Sequence, residues 1–328
     1  MTINNPLMNA KLAIVIPYYK IAFFETLLER LAQQTNRDFH VYIGDDCSPD
    51  DPKDIIAKYQ NRLSLTYKRY EENMGGTNLV GQWGRCVELI GDEEWVWFLP
   101  DDDLPSKNFV EAFYRALPNS ENHNVRIFRS QSMTIDENGQ LLKEKKFENP
   151  ELETNLEFYT RLLHGKTRAS LGDNIFNRRC FEESGGFVAF PKAWGSDHAT
   201  ILKVSAGGNI FYLHDAVLYF RNSGENISSA LSDGDVKMYA KVMFAKWLKK
   251  NESIFPAKPD EAFYKYLYWR MEYPVVHTWE FSIGTFVNLY RLRKECFRSG
   301  HLKSVVVLLA KKIFYSIKKK FSMQLAKG

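Results

Sequence analysis

The first 110 residues alternate between two patterns of apolar spacing. "LAIVIPYY" (12–19) is an unbroken apolar run rich in β-branched residues, the pattern of a strand buried on both faces. "AFFETLLERLAQQT" (22–35) follows, with Phe23, Leu27, Leu28 and Leu31 at helical spacing. A strand at "FHVYIGDD" (39–46), a helix at "PKDIIAKYQNR" (52–62) with Pro52 suited to its first turn, and a strand at "LSLTYKRY" (63–70) continue the series. A helix over "NLVGQWGRCVELI" (78–90) and a strand at "EWVWFL" (94–99) complete it. Strand–helix alternation with short connections predicts an α/β fold, a doubly wound and mostly parallel sheet flanked by helices.

Beyond residue 110 the pattern loosens. "FVEAFYRAL" (109–117) reads as a helix and "VRIFRSQSMTI" (125–135) as a strand. The polar stretch 136–153 is expected to be exposed around a turn at Asn138-Gly139, and 165–230 mixes short strands with glycine-rich loops. From about residue 235 the chain becomes helical and aromatic. We therefore expect a first domain over 1–232 and a helical C-terminal extension over 233–328.

Composition narrows the setting. At 328 residues and 45% hydrophobic the chain is long enough for a large core, and a net charge of +4 carries no nucleic-acid signature. The four cysteines are far apart, without metal-ligand spacing, which predicts reduced thiols in a cytoplasm. No stretch reaches the roughly 18 apolar residues of a spanning helix, and the N-terminal apolar run is too short for a signal peptide core. The segment 301–328 carries seven lysines and no acid. Its stripe of Val306, Leu309, Ile313, Ile317 and Phe321 suits either a helix packed on the domain or an interfacial helix on anionic lipid. A cytoplasmic protein, peripheral on the inner face of the membrane in the second case, is the expectation.

The chemistry gathers where strands stop, at "PYY", "GDDCSPDD" and "PDDDLP". In open α/β sheets ligands bind beyond the carboxyl ends of the strands. Asp101, Asp102 and Asp103 follow "WVWFL" directly. A turn before Pro105 that also caps the next helix needs one acid, not three. Clustered carboxylates raise one another's pKa unless a cation sits among them. A hard divalent ion, Mn²⁺ or Mg²⁺, with substrate phosphates as further ligands meets that need. "IGDDCSPDD" (43–51) adds a second acid pair, suited both to an Asx turn and to accepting hydrogen bonds from a base or ribose.

Taken in order, "LAIVIPYY", "VYIGDDCSPD", "ENMGG" and "WGRCVELI…EWVWFLPDDDLP" resemble the N-terminal half of family 2 glycosyltransferases. The match covers residues 11–110 and continues more weakly to about 230. The resemblance implies a GT-A fold and inverting transfer of a sugar from a nucleoside-diphosphate donor, most simply UDP-linked, to a glycan or lipid-linked saccharide. It implies nucleobase contacts at Pro17 and Tyr19 and a hydrogen bond from the uracil to Asp46. It implies metal coordination at Asp102, with Asp103 beside it, and ribose and diphosphate contacts at Asp101. Pro100 stands where many relatives carry a leading aspartate, so the division of ribose and metal contacts among the three carboxylates stays open.

Direct displacement also needs a base for the acceptor hydroxyl. "SGGFVAFPKAWGSDHATILKVSAGG" (184–208) is similar to the family segment that carries it, which implies Asp197 as the base and Trp194 and Gly195 as the loop under the acceptor sugar. Ser196 replaces the glutamate that usually precedes that aspartate. "YFRNSGENIS" (219–228) resembles the tail near the diphosphate, with Arg221 screening its charge. Two competing readings are a sugar nucleotidyltransferase and a non-catalytic nucleotide-sugar-binding scaffold. The first lacks the glycine-rich loop expected after the first strand, and retention of Asp46, Asp102 and Asp197 argues against the second.

Overall fold

The structure, a computed structural model, describes residues 3–4, 11–142, 147–223, 234–277 and the isolated positions 284, 287–288 and 290–291. Ten strands form one sheet: β1 (Ile3–Asn4), β2 (Leu12–Tyr18), β3 (Phe39–Asp45), β4 (Leu65–Arg69), β5 (Trp95–Phe98), β6 (Leu104–Pro105), β7 (Val125–Ile135), β8 (Leu152–Glu153), β9 (Asn174–Asn177) and β10 (Asn209–Arg221). Their order is β1-β4-β3-β2-β5-β9-β7-β10-β6, with β8 paired to β10 off that path. Strands β2, β3, β4, β5, β7 and β10 run in one direction, and β9 opposes them between β5 and β7. The expected α/β sheet is present, with its long ladders parallel.

Helices α1 (Phe24–Ala32), α2 (Lys53–Tyr59) and α3 (Gly75–Val87) connect the first strands, and α4 (Phe109–Ala116) and α5 (Asn119–Asn122) lead to β7. Helices α6 (Asn155–Leu163), α7 (Arg178–Glu183) and α8 (Ser196–Val204) follow, then α9 (Gly234–Lys250) and α10 (Glu261–His277). The amphipathic spacing read for α1 is met, since Leu27, Leu28 and Leu31 are buried. Helix α3 begins at Gly75 rather than at 78 and kinks at Asn78.

The described chain divides into two compact units. The first comprises 1–189, 196–226 and 254–256, and holds the whole sheet. Its core is built from strand residues with no exposure, Leu12 to Ile16 among them, as the continuous apolar run requires. Trp97 of β5 stacks on Phe109 of α4 at 4.0 Å and donates its indole N–H to the carbonyl of Gly172 at 2.7 Å, so that the large ring fills the core without stranding its donor. On β3, Gly44 faces α3 so closely that a Cβ there would stand 2.3 Å from Cys86 Sγ.

The second unit comprises 190–195, 227–253 and 257–328. Within it Phe190 packs edge-on against Phe244 at 5.9 Å and against Trp247 of α9. Lys192 and Ala193 both have positive φ, a conformation that non-glycine residues rarely adopt. The expected boundary at 232/233 and the lysine-rich segment 301–328 lie outside the described residues. Among the described residues no helix is long and apolar enough to cross a membrane.

The close approach at Gly44 generates a stability prediction. Gly44→Ala should lower stability by about 1–3 kcal/mol, because α3 must lift off β3 to admit the methyl group. Chemical denaturation of Gly44→Ala and of the double variant with Cys86→Ala checks this. Partial recovery in the double variant is expected, and a single variant as stable as the parent contradicts the packing.

Candidate active site

The site is organised by the turn that leaves β5. The Leu99 N–H bonds to the carbonyl of Val15 on β2 at 2.9 Å, extending the pairing with that strand by one residue before the chain turns. There Asp101 Oδ2 accepts the backbone N–H groups of Tyr19 and Lys20, both at 2.8 Å. Beyond the turn, β6 pairs antiparallel with β10, Leu104 opposite Tyr219 and Pro105 opposite Leu218. This register brings Arg221, the last residue of β10, onto the aspartates. Its N–H donates to Asp103 Oδ1 at 3.0 Å and its Nε to the carbonyl of Asp102 at 3.0 Å. Its Nη1 reaches the carbonyls of Asp136 and Glu137 at 3.1 and 2.8 Å, and the guanidinium lies 4.2 Å over the Phe23 ring. Arg221 is buried, so the expected partner of a diphosphate is in this structure a clamp on two loops.

The carboxylates are crowded. Asp101 and Asp103 are buried and Asp102 half-buried. Burial, aided by the charge of Asp102, pushes Asp101 up to about 7. Burial also raises Asp102, and burial together with the Asp102 charge raises Asp103 well above the usual carboxylate range. Asp103 Oδ2 is buried with no hydrogen-bond partner among the described residues. Among the described residues no group of three or more His, Cys, Asp or Glu side chains is arranged to hold a metal. A magnesium-type ion does not require one, since it takes one or two carboxylates and completes its shell with water and phosphates. Asp102, the most open carboxylate of the turn, with the unpartnered oxygen of Asp103 nearby, fits such an ion, whereas Asp101 is committed to the end of β2.

The second acid pair is built differently. Asp45 closes β3 by accepting Ser48 N–H at 2.8 Å, Tyr67 OH at 2.6 Å and Arg69 at 2.7 Å. Asp46 is buried and accepts four donors: Met74 N–H at 2.7 Å, Gly75 N–H at 2.8 Å, Asn73 Nδ2 at 3.1 Å and the Arg85 guanidinium. A carboxylate offers about four lone-pair positions, so these donors occupy it fully. A base that bonds to Asp46, as the sequence led us to expect, must share or displace one of them. Asp46 thus caps the start of α3, where its charge meets the positive end of the helix. It also holds Arg85, which lies 3.8 Å over the Tyr70 ring. Cys47, next in the chain, has φ 52°, a strained backbone at this strand end. Pro17 is half-buried near the end of β2, and the Tyr19 side chain is exposed.

Asp197 lies in the first turn of α8 and is half-buried. Its Oδ1 accepts the N–H of His198 at 2.8 Å, and the His198 Nε2 stands 3.9 Å from Oδ2. Trp194 and Gly195 fall in the second unit, where Lys237 Nζ sits 4.7 Å above the Trp194 ring and Gly195 has φ 88°. Lys20, Asn73, Gly75 and Arg85 escaped the sequence reading as individual residues. "ENMGG" and "WGRCVELI" drew notice only as strings, and no local pattern ties Arg85 to an aspartate 39 residues away.

Comparisons with known proteins agree on one family. The model of "Glycosyl transferase family 2" matches residues 13–180. The poly(ribitol-phosphate) β-N-acetylglucosaminyltransferase TarS of Staphylococcus aureus is 34% identical over 105 residues, 31% of this chain and 18% of the relative. An uncharacterized glycosyltransferase of Haemophilus influenzae is 35% identical over 99 residues, 29% of this chain and 31% of the relative. The chain thus matches under a third of the length of these curated relatives. The structure of S. aureus TarS 1–349 with UDP-GlcNAc superposes with a TM-score of 0.65 at 20% identity, covering 96% of this chain and 92% of that one. The mannosyltransferase PcManGT of Pyrobaculum calidifontis, with GDP-Man and Mn²⁺, superposes at 0.55 and 16% identity over 96% and 82%. The expected GT-A fold is borne out by this likeness.

The raised carboxyls generate a pH prediction. A carboxyl that holds its proton more tightly when folded favours the folded state at low pH, and that contribution is lost as pH rises through its folded pKa, here about 7 for Asp101. A divalent ion among the carboxylates should restore it. The rise in melting temperature on adding Mn²⁺ should therefore be small at pH 5.5 and larger at pH 8, and Asp102→Asn should remove most of it. A rise independent of pH, or retained in Asp102→Asn, contradicts the assignment.

Proposed function

The chain belongs to glycosyl transferase family 2, and we propose that it transfers a sugar from a nucleoside-diphosphate sugar, UDP-linked, to a hydroxyl of a glycan or lipid-linked acceptor with inversion. The observation that carries this reading is the carboxylate turn 101–103, pinned between the ends of β2 and β10 where a doubly wound sheet opens its ligand crevice. The nucleobase lies along Pro17 and Tyr19, on the strand end that also supplies the N–H groups for Asp101. Asp46 acts on it as a positioning residue, through the start of α3 and Arg85. Mn²⁺ or Mg²⁺, held by Asp102 with Asp103 behind it, supplies when bound the positive charge that lets a diphosphate rest against acidic side chains. Arg221 keeps those side chains in place by bonding to the turn rather than to the substrate.

In the displacement, the acceptor oxygen forms its bond to the anomeric carbon on the face opposite the departing diphosphate, and its proton passes to Asp197. A carboxylate at the start of a helix, a quarter exposed and accepting the adjacent N–H on Oδ1, has lone pairs left for a hydroxyl proton. Trp194 offers a ring face to sugar C–H groups beside Gly195 in the acceptor loop. A peripheral membrane position through the lysine-rich segment 301–328, and the division of the chain near 232, belong to the same proposal and rest on sequence.

Asp197→Asn separates binding from chemistry. UDP affinity should stay within about twofold while transfer falls by about 10²–10⁴, the usual contribution of a positioned base. Calorimetry for UDP and a transfer assay with UDP-sugars measure the two. Transfer at the parent rate in this variant removes Asp197 as the base.

A further inference from the structure

Residues 168–173, between α6 and β9, lie against the carboxylate turn. The Gly172 carbonyl accepts the Trp97 indole N–H at 2.7 Å. A Cβ built on Gly172 would stand 2.9 Å from Leu218 Cδ2, 3.0 Å from Pro100 Cδ and 3.6 Å from Asp103 Oδ2. Asp103 is therefore supported on both oxygens' sides, by the Arg221 N–H on Oδ1 at 3.0 Å and by the Gly172 backbone beside Oδ2. With no space for a side chain at this seat, a shift of the segment is felt at Pro100 and Asp103.

One buried cation fixes the segment. Arg129 on β7 is 2% exposed, and its Nη2 donates to the Arg168 carbonyl and, at 3.3 Å, to Asp173 Oδ2. Its Nη1 donates to Asn174 Oδ1 at 2.9 Å, and the guanidinium lies 5.0 Å from the Phe158 ring centroid. Asp173 Oδ2 also accepts the Ser170 N–H at 2.8 Å. The arginine thus ties down the segment at Arg168 and at Asp173–Asn174, with Gly172 between them on the turn. Burying an Arg–Asp pair desolvates both ions and is a poor source of stability. It does supply register, since the planar guanidinium presents fixed donors that an ammonium cannot reproduce.

We infer that Arg129 is a positioning residue for the cation site: by fixing 168–174 it keeps Gly172 against Pro100 and Asp103, and so holds the turn in the shape in which Asp102 and Asp103 receive a divalent ion. The inference rests on the reading of the turn as the metal–diphosphate site. It separates two parts of donor binding. The bonds of Arg129 go to 168–174 and not to the ends of β2 and β3, where the nucleobase is placed. Disturbing the arginine therefore weakens the divalent ion and spares UDP without metal. A merely structural arginine would lower the melting temperature and leave the ion affinity of the folded protein unchanged.

The test uses the full chain and its Arg129→Lys and Gly172→Ala variants. The first keeps the charge beside Asp173 and loses the planar fork. The second leaves Arg129 intact and wedges a methyl group between segment and turn. Calorimetry measures binding of MnCl₂ alone, and of UDP in EDTA, at a temperature where melting curves show each protein folded. In both variants Mn²⁺ affinity should fall about 10–100-fold, the usual cost of disturbing a residue behind a metal ligand, while UDP affinity in EDTA stays within about twofold. The Trp97 indole N–H, identified in ¹⁵N-tryptophan spectra by its absence from Trp97→Phe, should shift in Arg129→Lys as its Gly172 acceptor moves. Unchanged Mn²⁺ affinity in Arg129→Lys overturns the inference, and so does an equal loss of UDP affinity in EDTA. A fall in Mn²⁺ affinity with the Trp97 signal in place overturns the route through Gly172. If Arg129→Lys does not fold, Gly172→Ala decides, and parental Mn²⁺ affinity in it overturns the inference. A parent protein that binds no Mn²⁺ overturns the cation site and the inference with it. One that binds Mn²⁺ but no UDP overturns the donor reading, while the Mn²⁺ comparison still decides the role of Arg129.

Discussion

Negative charge crowded at the end of β5 is the constraint around which the rest of the first unit is arranged. Consecutive carboxylates at a buried strand end repel one another and lose solvation, and here burial raises all three. The protein fixes the turn with backbone donors from the ends of two other strands, Tyr19 and Lys20 after β2 and Arg221 on β10. The carboxylate geometry is thereby set before any ligand arrives, and part of the electrostatic cost is left for a cation to offset. A site of this kind favours ligands that bring positive charge with them, which is what a metal-bound diphosphate does.

The sheet explains why those donors are available. Parallel pairing of β2 with β5 sets Phe98 opposite Val15, so the turn leaving β5 receives the N–H groups of Tyr19 and Lys20 from the chain leaving β2. The short antiparallel pairing of β6 with β10 does the same from the other side. At the end of β3 the acids have an inward task. Asp45 ties its own turn to β4, and Asp46 ties the start of α3 to the sheet. Two motifs that look alike in sequence, "GDD" and "PDDD", thus differ in what remains available to a ligand. Asp46 is saturated by its own chain, and Asp102 stays half-open.

Much of this fold was legible because its early strands are buried on both faces and read as unbroken apolar runs. Strand β7 matches its expected bounds of 125–135. Strand β9 did not stand out, since four residues of "NIFN" carry little pattern and its role depends on lying antiparallel between β5 and β7. The start of α3 at Gly75 was missed for a related reason, because its cap is a carboxylate 29 residues earlier in the chain. The acids of the site were visible as clusters. Their supports were not, because backbone N–H groups leave no trace in a sequence. Arg221 was found as a residue, yet its engagement with the carbonyls of Asp102, Asp136 and Glu137 follows only from the β6–β10 register.

The account turns on one claim, that Asp102 is the open carboxylate through which a cation joins the turn to a donor diphosphate. Crystals grown with UDP and Mn²⁺, with diffraction recorded at the manganese absorption edge, locate that ion directly. The account predicts one anomalous peak bonded to the Asp102 carboxylate and to the diphosphate of UDP. UDP bound with the manganese away from Asp102, or with no manganese at all, would contradict it.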